Sequence, residues 1–297
     1  MNEKQGMRNK ELIRSGFLEK LNDFSELVMF KHSIFSLPFI FIAMVVAAKG
    51  WFGWKLLFLG VLAAITARNF AMGVNRYLDR DIDILNPRTK TRPSVDGRVS
   101  SQQMILFIVI NALLFIAVAY MVNSMAFALA LPILAVLASY SYFKRFSSAA
   151  HLVLGVSLGL APIAGVVAVT GEVTIWSLYL AIGVMFWVAG FDLLYSLQDI
   201  EFDKKQGLHS IPSKFGAKNT MTIAKLFHLL TVVFWILFVT SAHLGNWAYI
   251  AVLFAACMLA YEHYLVNKDF TKIDKAFFTV NGYLGIVFFI FIILDTV

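Results

Sequence analysis

Apolar runs long enough to cross a lipid bilayer follow one another along almost the whole chain, and nothing else in the sequence limits the fold as strongly. They lie near residues 29–49, 54–78, 102–121, 125–143, 151–170, 175–198, 220–242, 246–266 and 276–295. An α-helix needs about 17–25 apolar residues to cross roughly 30 Å of hydrocarbon. Inside lipid no water pairs with free N–H and C=O groups, so such runs are viable as helices. The expected fold class is all-α: a polytopic membrane protein with nine transmembrane helices. Charged residues make up only 14% of the chain, against about 25% in soluble domains, which excludes an ordinary cytosolic enzyme. No Pro/Ser/Gly-rich linker divides the spans, so residues 29–297 are expected to form one transmembrane domain. Residues 1–28 precede it as a charged arm. There Ile13, Phe17, Leu21, Phe24 and Val28 recur at helical spacing, the pattern of an amphipathic helix lying on the cytoplasmic membrane surface.

The net charge of +7 would suit a nucleic-acid partner, but its placement argues against one. Lys and Arg gather in the arm and around residues 80–98, 144–145, 204–218 and 268–275, while the loops on the other side hold only Lys49 and Lys55. The positive-inside rule then puts the amino terminus in the cytoplasm and the carboxy terminus outside. The single cysteine, Cys257, cannot form an internal disulfide and is expected to be a small buried residue of the eighth span. Lys225 and His228 begin the seventh span and are expected to reach the interface. Arg68, within the second span, either lines a cavity or pairs with an acid.

Two acidic segments interrupt this apolar pattern on the cytoplasmic side. In NRYLDRDID, Asn75, Asp79 and Asp83 stand at i, i+4 and i+8, which keeps them within about 80° of one another on a continuous helix. Asp81 points roughly the opposite way and reads as a solvated or locally paired carboxylate. In DLLYSLQDIEFD, Asp192, Tyr195, Asp199 and Asp203 stand at i, i+3, i+7 and i+11, a second narrow stripe with Glu201 on its far side. Asn75, Asp79 and Asp83 each precede Tyr195, Asp199 and Asp203 by 120 residues, and four spans separate the segments. An even number of crossings returns both to one membrane face, as a duplicated four-helix unit would.

A carboxylate at the bilayer centre costs about 2.5–3.5 kcal/mol, so Asp192, inside the sixth span, needs a partner or water. Two stripes of oxygen donors suit a hard divalent cation such as Mg2+, while their lack of Cys and His disfavours zinc. Arg76, Arg80, Arg88, Lys90, Arg92, Lys204 and Lys205 crowd the same segments. Acids holding Mg2+ beside Arg and Lys would bind a diphosphate, whose charge metal and cations would share.

The segment NRYLDRDID followed by NPRTKTRP resembles the first aspartate-rich motif of the UbiA-type membrane prenyltransferases, commonly N-D-x-x-D-x-x-x-D. DLLYSLQDIEFD resembles their second, commonly D-x-x-Y-x-x-x-D-x-x-x-D. YSYFKR at 140–145 is similar to the family's Y-x-x-x-K-R, and GLHSIPSKFG at 207–216 adds to the likeness. Arg76 departs from the pattern, standing where many members carry the first motif's leading Asp. That N-R form, with HSIFSLPF at 32–39 and GFDLLY at 190–195, is most similar to the bacterial 4-hydroxybenzoate polyprenyltransferase branch, including variants that act on a dihydroxynaphthoate in menaquinone synthesis.

The resemblance implies a bundle of nine helices around a central cavity in the bacterial inner membrane, with the site on the cytoplasmic side. It implies transfer of a polyprenyl group from its diphosphate to an aromatic acid, in ubiquinone or menaquinone synthesis. Mg2+ would be held by Asn75, Asp79 and Asp83 and by Asp192, Asp199 and Asp203. Asp79, Asp83, Asp192, Asp199 and Tyr195 would be catalytic. Arg76, Arg88, Lys90, Arg92, Tyr140, Lys144 and Arg145 would bind the diphosphate or the acceptor. The alternatives are another acceptor, such as haem or homogentisate, or a cation-coupled transporter. A transporter would spread its acids across the bilayer depth, whereas here they cluster at one face.

Overall fold

The computed structural model of the protein describes residues 19–28, 37–143 and 145–296. Among these residues there is no strand, and nine principal helices form the bundle: α1 Leu37–Ala48, α2 Trp54–Leu78, α3 Ser101–Val122, α4 Ser124–Phe143, α5 Ala150–Thr170, α6 Ile175–Tyr195, α7 Ile211–Ser241, α8 Asn246–Lys268 and α9 Asn281–Thr296. Eight helical stretches are long and apolar enough to cross a membrane, α6 and α9 being counted with the short turns beside them. The ninth expected span is represented by α1, 12 residues long, because residues 29–36 lie outside the described residues. The protein is an integral membrane protein.

Local sequence sets where the helices begin. Ser100, Thr174 and Ser210 each accept a hydrogen bond from the backbone N–H three residues on, and the side chains of Gln103, Ser177 and Ser213 accept one from the backbone N–H of the cap. Gly171, with φ 75°, closes α5 in the left-handed conformation that glycine adopts without strain. Gly216, with φ 76° and ψ 168°, kinks α7, so the spanning part starts after it, close to the expected residue 220.

Small residues then let backbones approach. A Cβ on Gly155 or Gly159 of α5 would run into the carbonyl oxygens of Met185 and Ala181 on α6, and one on Gly183 or Gly190 of α6 would meet Trp235 and His228 of α7. These contacts enclose α6: 67% of its apolar stretch is buried, against 22–39% for the other spans. The helix that carries Asp192 and Tyr195 is thus the most buried of the eight long spans. Behind it, Phe39, Trp187, Trp235 and Phe288 form an aromatic core.

Two expectations are corrected here. His228 does not reach the interface; it is buried in the space left by Gly190, beside His263, with ring centroids 4.9 Å apart. Cys257 is exposed on α8 rather than buried, because its helix turns the opposite face to the core.

Of the arm, residues 19–28 are described, and 19–27 are helical. Leu27 and Val28 are buried, with Leu27, Phe24, Val99 and Met104 forming a small apolar cluster. Arg98 fastens the same helix, bonding Glu26 at 2.6 Å and Asp23 at 3.4 Å. The described part of the expected surface helix is therefore docked against the loop that follows the first acidic segment, while Ile13 and Phe17 lie outside the described residues.

Candidate active site

Neither acidic segment is one continuous helix, as its spacing suggested. α2 ends at Leu78, Asp79 takes φ −88° and ψ 1°, and a short helix Arg80–Asp83 follows. α6 ends at Tyr195, a 3-10 turn covers Ser196–Asp199, and after Asp199, with φ −102° and ψ 4°, a helix runs over Ile200–Gln206. Asp79 and Asp199, 120 residues apart, are both the residue at the break, in a sparsely populated backbone region where many active-site residues sit. The segments after both breaks contribute to the lining of the space between the helices, through Ile82 and Asp83 in one and Phe202 and Asp203 in the other.

That space is a chamber of about 470 Å³ between α2, α4, α5 and α6, lined deep inside by Ala64, Ala67, Leu137, Leu158 and Ala161 and at its mouth by polar side chains. Asn75, Asp79, Asp83, Asp192, Asp199 and Asp203 all line it, as do Arg68, Arg76, Arg88, Arg92, Tyr140, Tyr195 and His209. Lys90 is exposed and outside the lining. Arg145 is also outside: it turns away to bond Asp81 through Nη1 and Nη2 at 3.0 and 2.7 Å. Lys144 lies outside the described residues.

Each motif carboxylate has a partner suited to its depth. Asn75 Nδ2 donates to Asp79 Oδ2 at 2.8 Å and to Ser141 Oγ at 3.2 Å, while Asn75 Oδ1 accepts from Arg76 at 3.1 Å. Arg76 also donates through Nε to the Leu27 carbonyl at 3.2 Å, tying the arm to the chamber wall. Arg92 pairs with Asp83 at 2.6 Å, and Asp203 accepts from Ser210 Oγ at 2.7 Å. Asp192 bonds His151 Nδ1 at 2.7 Å. An ionised carboxylate only accepts, so Nδ1 carries the proton when Asp192 is charged.

The two segments meet through the loop after the first. Arg88 holds Asp199 with two N–H groups, at 3.2 and 2.6 Å, and donates a third to Tyr195 Oη at 3.0 Å; Asn86 Nδ2 donates to Asp199 at 3.3 Å. Partial burial alone would lower the pKa of Arg88, but the facing Asp199 and Tyr195 outweigh it and leave the value raised, so the guanidinium stays charged.

Among the described residues no group of three or more His, Cys, Asp or Glu forms a ready-made metal cluster. The donor set nevertheless fits Mg2+ chemistry. The chamber is lined by carboxylate and amide side chains of both acidic segments, and Mg2+ usually takes one or two carboxylates and completes its shell with water and substrate phosphate.

Some lining residues escaped the sequence reading. His151 carries no motif, although an ionisable side chain inside a span is itself a signal of function. Asn86, Ser141 and Ser210 are ordinary polar residues until the fold brings them to the acids. Phe277, which also lines the chamber, is one of 28 phenylalanines.

Among the described residues an all-helical membrane bundle encloses an acid-lined chamber whose arginines pair with the acids, the architecture of a membrane-embedded enzyme. Residues 36–293 match the UbiA prenyltransferase family, and the chain belongs to that family. It is similar to the "4-hydroxybenzoate octaprenyltransferase" of Pseudomonas fluorescens (strain SBW25), 31% identical over 238 residues that cover 79% of each chain. The protein of the same description from Paracidovorax citrulli (strain AAC00-1) is 31% identical over 249 residues, 83% of each chain. Among solved structures, the apo form of a UbiA homolog from Aeropyrum pernix K1 is 30% identical, covering 90% of this chain and 98% of that one with a TM-score of 0.81. A UbiA homolog from Archaeoglobus fulgidus bound to GPP and Mg2+ shares the fold, with a TM-score of 0.73 at 21% identity over 91% of this chain and 99% of that one.

Proposed function

We infer that this prenyltransferase moves a polyprenyl group from polyprenyl diphosphate to an aromatic acid, 4-hydroxybenzoate or a dihydroxynaphthoate, in quinone synthesis at the bacterial inner membrane. The reading is carried chiefly by one observation: both acidic segments line a single chamber, with Arg88 reaching from one to the other. The octaprenyltransferase relatives and the neighbour bound to GPP and Mg2+ support it. The charge pattern of the loops supports a chamber mouth that opens to the cytoplasm.

In this reading Asn75, Asp79 and Asp83 would hold one Mg2+, and Asp192, Asp199 and Asp203 a second. When bound, Mg2+ offsets the negative charge that builds on the departing diphosphate. Arg88 and Arg92, already at the mouth, bind the same oxygens and orient the prenyl chain with its tail in the apolar depth. The bond between the prenyl carbon and the diphosphate oxygen breaks with both electrons going to oxygen, leaving an allylic cation. Apolar walls exclude water that would capture it. A ring carbon of the acceptor, activated by its hydroxyl group, forms the new bond, and the proton on that carbon then passes to the released pyrophosphate or to water.

Purified protein in detergent or vesicles, given Mg2+, a polyprenyl diphosphate and 4-hydroxybenzoate or a dihydroxynaphthoate, is expected to release pyrophosphate and form a prenylated aromatic product. Pyrophosphate release without any aromatic product would exclude the acceptor class. Mass spectrometry of quinone precursors after gene deletion would then identify the acceptor and the tail length together.

A further inference from the structure

The chamber wall contains a residue whose placement is supported from behind by an unusual structure. Between α8 and α9 the chain makes a π-helical turn, Ala276–Val280, a rare geometry that recurs at functional sites. Such a turn disturbs the usual pairing of backbone carbonyls, and here Asn281 compensates. Its Nδ2 lies 3.3 Å from the carbonyl oxygens of both Ala276 and Phe277 and 2.9 Å from Glu262 Oε1, while its Oδ1 accepts from Trp187 Nε1 at 2.7 Å. Asn281 and Trp187 are fully buried and Glu262 is 1% exposed. An acid this deep in an apolar bundle is costly to keep and needs a reason.

The turn places Phe277 in the chamber lining. Its ring centroid lies 4.4 Å from Tyr195 and 5.0 Å from Phe191, the latter at 89°, and all three rings line the chamber. Tyr195 in turn accepts from Arg88, which holds Asp199. Polar anchor and aromatic wall are therefore adjacent: beyond Arg88 and Asp199 stands Tyr195, and against Tyr195 stands Phe277. In the reaction proposed above, on which this inference rests, the cationic carbon is the one next to the diphosphate. It arises where that wall begins.

We propose that Phe277 is a catalytic residue whose ring faces the allylic cation, and that Asn281, with Glu262 and Trp187, is the buried clamp that holds it there. An aromatic face attracts a cation through its quadrupole and, unlike water or a carboxylate, does not add to it readily. The ring forms no bond. The C–O bonding electrons leave with the diphosphate, the acceptor carbon supplies the new pair, and its proton passes to the released pyrophosphate or water, so the balance of the transfer is unchanged. The clamp residues are positioning residues.

The test is a series of fluorinated phenylalanines at position 277, nearly equal in shape but with progressively weaker ring faces, assayed in the full-length protein with Mg2+, geranyl diphosphate and 4-hydroxybenzoate. The expected result is a stepwise fall in kcat with each added fluorine while the KM for the diphosphate holds. Phe277→Leu is expected to lose roughly tenfold or more in kcat. It is also expected to divert part of the cation to water, read as prenyl alcohol beside the aromatic product. Asn281→Ala is expected to raise the alcohol fraction likewise, and Glu262→Gln, which keeps an oxygen for Asn281, to raise it less than Glu262→Ala. A flat kcat across the fluorinated series, in protein that still transfers the prenyl group, overturns the proposed role. Wild-type protein that transfers to no aromatic acceptor overturns instead the functional reading beneath it.

Discussion

In the first acidic segment Asp79 and Asp83 are enclosed, at 2% and 4% exposure, and Asp83 is neutralised by Arg92 from its own following loop. In the second, Asp199 and Asp203 remain partly accessible, the helix Ile200–Gln206 has no buried residue, and Asp199 is held by Arg88, which belongs to the first segment's loop. The backbones break alike at Asp79 and Asp199, so the difference lies in where the counter-charges come from. Asp83 takes its counter-charge from its own segment, while Asp199 takes its counter-charge from the first. The loop from Arg80 to Arg98, fastened to the arm through Glu26, therefore acts on both halves of the site.

The sharpest way to break this comparison is to remove the two break residues one at a time. Asp79→Ala and Asp199→Ala are both expected to lower kcat by on the order of 10²–10³-fold in a pyrophosphate-release assay with Mg2+, the range seen when one well-placed charge-stabilising group is lost. Were Asp199→Ala near wild type while Asp79→Ala was inactive, the two segments would not act on one diphosphate.

The arginines should separate the segments by stability. Arg92→Ala leaves a buried carboxylate without its counter-charge, a change that costs about 3–5 kcal/mol in a fully buried pair. With the Arg92 side chain 23% accessible, the lower end of that range is expected, read as a drop in the unfolding midpoint in detergent. The Arg88 side chain is 36% accessible, and Arg88→Ala should cost about 1 kcal/mol or less. Its main expected effect is a raised KM for the prenyl diphosphate. Equal destabilisation by the two variants would contradict the difference in burial. Ser210→Ala acts on the second segment alone, removing both a hydrogen bond to Asp203 and the cap of α7, for about 1 kcal/mol of stability.

The sequence alone made some of this legible and concealed the rest for identifiable reasons. Long apolar runs announce helices because lipid leaves the backbone no other partner, and within the described residues the span positions agree closely with the helices found. The spacing of Asn75, Asp79 and Asp83 marked them as a set, but it could not show the break at Asp79, since i, i+4 and i+8 also describe an unbroken stripe. Arg145 and Arg88 look equivalent as loop cations; only the fold sends one to Asp81 outside the chamber and the other to Asp199 inside it. His151 and Phe277 reach the chamber through the packing of α5 on α6 and through a π-helical turn, and neither event has a short sequence signature. His228 was misplaced because its burial depends on a glycine of another helix, Gly190.

Asp81 supplies the smallest and most discriminating comparison, because it belongs to the first acidic segment by sequence but not to the chamber. Its side chain is 63% exposed and is bonded by Arg145. That hydrogen bond, opposed by slight burial, holds its pKa below the ordinary carboxylate value of 3.8. A depressed carboxylate contributes stability that is fully present above its unfolded pKa and disappears as pH falls through its folded one. Asp81→Asn is therefore expected to cost about 0.2–1 kcal/mol at neutral pH, less in high salt, and nothing once the pH lies below that depressed value. Prenyl transfer by Asp81→Asn should match wild type at neutral pH, whereas Asp79→Asn or Asp83→Asn should not. A loss of transfer in Asp81→Asn equal to theirs would mean that the acidic segment works through its total charge and that the geometry of the chamber is immaterial.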